Sequence, residues 1–350
     1  MVHVIFLFST LLSVLSRYGK QILLYTFFIL FIFAAIRYGY GNDYFGYEDG
    51  YNSIHAGYHA IFEPLYVQIN KLCPSFEFVV IISSICSILP AYYLINRYVC
   101  KKYQWISIFI FVFNPYIFLM GLSAIRQTMA LSLFILAINF SKNKRIFPYI
   151  ICITLACLIH VSAIILLPLY FLANKKHIDK RWILIVLLGL LFMIVYGKDI
   201  VNSILQSFAG ELSLNYSYYL LEEKSNSLRS IILTSITLIY IAINIPHLEG
   251  STLMFSKLYF IGCIFGILAY HVSMPTRFQM YFDIFSIVSI PMIMYQNNTQ
   301  RTFKNGVGLL VNKYFLPVLI FVVYGLRYYS FFTNPLWEPF YEYQTILFRN

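Results

Sequence analysis

Arg126 lies in the stretch Gly121-Leu122-Ser123-Ala124-Ile125-Arg126-Gln127-Thr128-Met129, between the apolar runs Phe109–Leu119 and Met129–Phe140. A guanidinium is costly near hydrocarbon and cannot shed its charge. It must pair, face water or hold an anion. Arg37 is followed six residues later by Asp43, across Gly39 and Gly41. His160 and Ser162 interrupt another apolar stretch, and Arg277 precedes Phe278-Gln279-Met280-Tyr281. Three arginines and a histidine at one interface would bind a group carrying two or three negative charges. Partial exclusion of water would strengthen every such contact. Asp43 is the candidate base for a hydroxyl, with Glu63 second. Each residue also has a plainer reading. Arg37 would snorkel at a span end, Asp43 would serve a turn after Gly41-Asn42, and His160 would be a satisfied core group. Arg277 would pair with Asp283, although six residues is a poor helical spacing for that.

Several chemistries have no carrier. The chain has no Walker loop, dinucleotide fingerprint, Gly-x-Ser-x-Gly elbow or His-Glu-x-x-His, and no aspartate-rich nucleotide-sugar motif. An ATP-driven pump and a nucleotide-sugar enzyme are disfavoured, and no cofactor or metal is expected. The six cysteines have neither zinc-ligand nor redox spacing, and Cys152 and Cys157 read as small core residues.

The elements that must position these residues are membrane helices. Of 350 residues, 60% are hydrophobic and 11% charged, a composition broken into runs of spanning length. The expected class is an all-α polytopic integral membrane protein, one transmembrane domain over residues 1–350. No cleaved signal peptide is expected, because no basic region precedes the first apolar stretch. The net charge of +11 follows from short basic loops, so nucleic acid is not an expected partner and the bilayer is.

Apolar runs are read near 2–16, 21–36, 77–96, 104–120, 124–140, 147–173, 182–196, 231–246, 257–271, 279–295 and 311–329. The positive-inside rule places Arg17/Lys20, Arg97/Lys101/Lys102, Lys142/Lys144/Arg145, Lys175/Lys176/Lys180/Arg181 and Arg301/Lys304/Lys313 on the cytoplasmic side. That requires the run 147–173, basic at both flanks, to cross twice as a hairpin of short helices turning near His160. Each half would be roughly 20 Å long, short for a core of about 30 Å. About twelve crossings result, with outer loops at 37–76 and 197–230 rich in tyrosine and polar residues. Arg37, Asp43, Arg126, Gln127, His160, Ser162 and Arg277 then share the outer face, where arginine suits a planar grip on phosphate.

Taken in order, Arg37-x-Gly39-x-Gly41-x-Asp43-Tyr44, Glu63-Pro64-Leu65-Tyr66, Ile125-Arg126-Gln127, Ile159-His160-x-Ser162-Ala163 and Arg277-x-x-x-Tyr281-Phe282 resemble the EpsG-type, Wzy-like polysaccharide polymerases of bacterial envelopes. The resemblance covers roughly residues 2–330. One departure is Asn42, where that family commonly has threonine. The resemblance implies transfer of a growing glycan from undecaprenyl diphosphate onto a lipid-linked repeat unit, at the periplasmic or outer face of the bacterial inner membrane. It also implies a relation to GT-C-like glycosyltransferases that use polyprenyl phosphates, with a chain-length regulator and a flippase as partners. On that reading Arg126, Arg277, His160 and Asp43 are catalytic. Arg37, Tyr44, Glu63, Gln127, Ser162 and Tyr281 would contact substrate. An O-antigen-type ligase uses the same donor and is the rival enzyme. A lipid-linked oligosaccharide flippase is the rival from another class, and predicts charges within the spans and related halves.

Overall fold

The computed structural model describes residues 1–58, 62–173, 180–208, 227–271, 274–299 and 314–348. Tyr216 to Tyr219, Glu222 to Lys224, Lys175, Lys176, Arg301, Lys304 and Lys313 lie outside them. The described residues are helical apart from short connections and one two-residue strand pair. They fall into two compact units, Lys175–Val323 and Met1–Asn174 with Tyr324–Asn350.

In the first unit, α1 (Val2–Val14) packs on α2 (Lys20–Ala35), and α2 packs on α5 (Phe76–Tyr98). Two short helices, α3 (Tyr44–His55) and α4 (Pro64–Leu72), lie in the connection between α2 and α5. Next come α6 (Gln104–Phe113), α7 (Phe118–Ser123) and α8 (Ile125–Lys142). The run expected over 104–120 is thus broken. Pro115 has no N–H to continue the ladder, and the residue before a proline is pushed out of helical backbone. Asn114 accordingly takes φ −95°, ψ 96°.

The run 147–173 is broken at His160, whose backbone is extended between α9 (Ile146–Ile159) and a 3-10 turn over Val161–Leu166. The chain then folds back through α10 (Leu169–Ala173). The Tyr149 hydroxyl donates to the Leu166 carbonyl, and the Tyr149 and Tyr170 rings meet at 5.3 Å. This is a hairpin with His160 at its tip.

The second unit holds α11 (Lys180–Phe208), α12 (Leu228–Asn244), α13 (Gly250–Leu268), α14 (Met274–Asp283) and α15 (Ser286–Thr299). Helix α13 is its centre and packs against the other four. It begins seven residues before the expected 257. A Cβ at Gly262 would sit 2.7 Å from the Phe282 Cβ, so the missing side chain sets the close approach of α14. The run expected over 279–295 is bent by 51° between α14 and α15. The last long helix, α16, is Leu316–Thr333.

Four described helices are long and apolar enough to span a membrane, or five with the bent pair, beside shorter apolar helices. The chain is an all-α, multi-pass membrane protein.

Candidate anion and sugar site

The site in the first unit is built around one carboxylate. Glu63 precedes Pro64, which fixes the first turn of α4 and holds Glu63 extended at φ −62°, ψ 149°. Its side chain does not cap its own helix. It reaches across to two other elements instead.

Arg126 is the second residue of α8. A cation in the first turn has the wrong sign for the helix dipole. Glu63 offsets it, with Arg126 Nη1 donating to Glu63 Oε2 at 2.5 Å. The guanidinium lies 4.8 Å from the Phe62 ring centroid and 5.8 Å from that of Tyr47. Its side chain keeps 22% exposure, and that of Glu63 keeps 16%. Of the three outcomes open to Arg126 in the sequence, pairing, water or an anion, the structure shows the first, with Glu63.

The other oxygen of Glu63 serves the hairpin tip. The break at His160 leaves the Val161 N–H without an intrahelical acceptor. That N–H donates to Glu63 Oε1 at 3.0 Å, and His160 Nδ1 lies 3.3 Å from the same oxygen. Burial pushes the Glu63 carboxyl up, but His160, the Val161 N–H and Arg126 outweigh it and hold the group down at about 2. Tyr47 is shifted upward, chiefly by burial, so its phenol stays protonated beside Arg126.

Asp43 sits on the adjoining loop. Ser123 Oγ donates to Asp43 Oδ2 and accepts from the Asp43 backbone N–H, both at 3.1 Å. Ser123 is three residues before Arg126, so the first motif and the start of α8 are tied directly. Gly41 makes this possible. Its φ of +114° disfavours any side chain, and an added Cβ would lie 3.3 Å from Ser123 Cα.

The structure thus brings together Glu63, Arg126 and His160, with Asp43 joined through Ser123. Other candidates are placed elsewhere. Arg37 is wholly buried and donates to the carbonyls of Ala34 and Leu122 and to the hydroxyls of Ser83 and Ser84. It ties α2, α5 and α7 together. The Tyr44 ring is in the core, edge-on to Phe76. Gln127 is buried and Ser162 half-buried in the first unit. Arg277 is exposed and Tyr281 fully buried on α14, in the second unit, where Gln279 donates to Asp283 at 3.0 Å. All six cysteines are free thiols, and among the described residues no three His, Cys, Asp or Glu side chains converge as a metal site.

Sequence reasoning missed two features. The first is Phe62 as the floor under Arg126. The second is the segment after α16, which pairs with the Arg37 loop as β1 (Arg37–Tyr38) against β2 (Gln344–Thr345). The sequence reading assigned that segment no role; its aromatic residues Trp337, Phe340, Tyr341 and Tyr343 are the signal that could have pointed to packing.

A model of the EpsG family matches residues 20–345. The chain belongs to the EpsG family. That family is a Wzy-like group of polysaccharide polymerases, so this EpsG member is a membrane polymerase of the glycosyltransferase kind. No curated protein and no solved structure matches it. The EpsG match spans every motif named above, from Arg37 to Phe282.

Proposed function

We propose that this protein polymerises lipid-linked repeat units, taking the growing glycan from undecaprenyl diphosphate at the outer face of the bacterial inner membrane. The observation that carries the reading is Arg126, held by Glu63 at the start of an apolar helix and still partly open. A diphosphate would meet a guanidinium at the positive end of the α8 dipole. It would compete with Glu63 for Arg126.

In the reaction an acceptor hydroxyl oxygen bonds to the donor's anomeric carbon as the carbon–oxygen bond to the diphosphate breaks. The electron pair leaves with undecaprenyl diphosphate, and the anomeric configuration inverts. Arg126 stabilises the charge that develops on the leaving group, without a metal ion, and Arg277, on the second unit, is the other arginine that turnover requires. The hydroxyl proton passes to Asp43, with His160 holding a phosphate oxygen or relaying the proton. Glu63 orients His160 through Nδ1 and, once released by Arg126, becomes more basic. About twelve crossings and a GT-C-like ancestry belong to this reading, as do a flippase that supplies the repeat unit and a chain-length regulator.

The test is the surface glycan of a strain lacking the gene, complemented with Arg126→Ala or Arg277→Ala. The expected result is a ladder collapsed to one repeat unit, with the protein still inserted. Wild-type ladders from both variants would end the assignment. Lipid-linked polymer accumulating in the deletion strain would favour a ligase instead.

A further inference from the structure

The segment after α16 runs directly beside the loop that carries Asp43. Its strand β2 pairs antiparallel with β1, with Arg37 opposite Thr345 and Tyr38 opposite Gln344. The Ile346 N–H donates to the Ile36 carbonyl at 2.9 Å, and the Gly41 N–H to the Pro339 carbonyl at 3.4 Å. Asn42 Nδ2 donates to the Leu336 carbonyl at 3.0 Å. The Tyr343 ring stacks on Phe33 at 4.3 Å, and its hydroxyl donates to the Phe33 carbonyl. Phe340 is fully buried, edge-on to Tyr40 at 5.3 Å.

We propose that residues 335–346 form a clasp that positions Asp43 against the start of α8, with Phe340 and Tyr343 as its positioning residues. The proposal rests on the reading of Asp43 and Arg126 as parts of the polymerising site.

Most of these hydrogen bonds are to backbone atoms. They fix where the loop runs rather than supplying chemistry. The loop needs this, because two of its residues, Gly39 and Gly41, sit at positive φ. Glycine at such positions has the largest conformational freedom to lose. Gly41 is also pressed from both sides. An added Cβ there would meet Ser123 Cβ at 3.2 Å and the Phe340 ring at 3.5 Å. A line of contact therefore runs from Phe340 through Gly41 to Ser123, whose hydroxyl holds the Asp43 carboxylate. A shift of the clasp moves Asp43 relative to Arg126 while both side chains stay intact.

The experiment uses the full chain in lipid nanodiscs with an undecaprenyl-diphosphate-linked repeat unit. Phe340→Ala should lower kcat roughly 10- to 100-fold, the cost of about an ångström of misplacement. KM should stay within about twofold, because the donor grip is untouched. Phe340→Leu should restore most of the rate. Tyr343→Phe keeps the stacked ring, loses one hydrogen bond and should fall between the two. A paired variant, Tyr38→Cys with Gln344→Cys, compares one protein before and after oxidation, so the substitutions themselves cancel. These positions are register partners, a spacing a disulfide fits. Oxidation should leave the rate at or above its reduced value. A wild-type kcat for Phe340→Ala overturns the clasp. So does oxidation that shuts activity off, since the segment would then have to leave its seat. Polymer from the wild-type chain with no effect of these variants sinks the clasp alone. No polymer from the wild-type chain sinks the polymerase reading, and the clasp with it.

Discussion

Glu63→Gln removes a charge from a pair of known geometry and leaves shape almost unchanged. The Glu63 carboxyl is held at about 2 against its ordinary 4.5, and that displacement corresponds to roughly 3 kcal/mol favouring the ionised form. Water and salt reach the partly exposed pair and screen it, so about 1–2 kcal/mol of stability is expected to depend on the charge. The folded value lies below the unfolded one. The contribution is therefore complete above pH 4.5 and is lost as the pH falls toward 2. Glu63→Gln should be about 1–2 kcal/mol less stable than wild type at neutral pH, and the gap should narrow in acid. Unfolding of detergent-purified wild type, Glu63→Gln, Arg126→Met and the double variant gives the coupling directly. The double variant should lose less than the sum of the singles, because each single strands a partly buried charge. Additivity within about 0.5 kcal/mol, or a gap that stays constant down to about pH 3, would refute the reasoning.

Three further outcomes follow from the same geometry. Arg126→Lys keeps the charge but loses the planar fork, so repeat-unit turnover should drop by about 10²–10³ with insertion normal. Arg37→Met leaves the Ala34 and Leu122 carbonyls and two serine hydroxyls without their donor. It should cost about 2–4 kcal/mol and show as loss of monodisperse protein rather than as a changed KM. Gly41→Ala forces a side chain into positive φ against Ser123. It should cost about 1–3 kcal/mol, read as a lower Tm together with lost polymer.

The legible parts of this protein were those that depend on near neighbours in sequence. Arg126 stood out because its flanks are apolar, and the hairpin tip at His160 because its run was too long for one crossing and basic at both ends. Helix class followed from composition. What stayed hidden was long-range pairing. Glu63 lies 63 residues before Arg126 and 97 before His160, and nothing in local spacing assigns it to both. Arg37 resembled an interfacial ligand because the serines that enclose it, Ser83 and Ser84, are ordinary small residues within an apolar run. The breaks at Asn114 and between Asp283 and Ser286 fell inside runs that hydropathy alone joins. The pairing of β1 with β2 rests on backbone hydrogen bonds between residues about 300 apart, which carry no side-chain signature.

The hairpin has a consequence for the surrounding lipid. Helix α9 has 14 residues and α5 has 23, or about 21 Å and 35 Å of length. Phe147, Ile150, Ile151, Leu155 and Leu158 leave an outward apolar stripe along α9. Acyl chains against that stripe have a shallower hydrocarbon layer to match than those against α5. A bilayer that matched both lengths would be thinner beside the element whose tip carries His160. On the proposed function, a polyprenyl carrier in that thinner zone would have its headgroup brought nearer Glu63 and Arg126 without any protein motion. Turnover in vesicles of graded acyl-chain length would then peak in thin membranes, making bilayer thickness a determinant of polymer output.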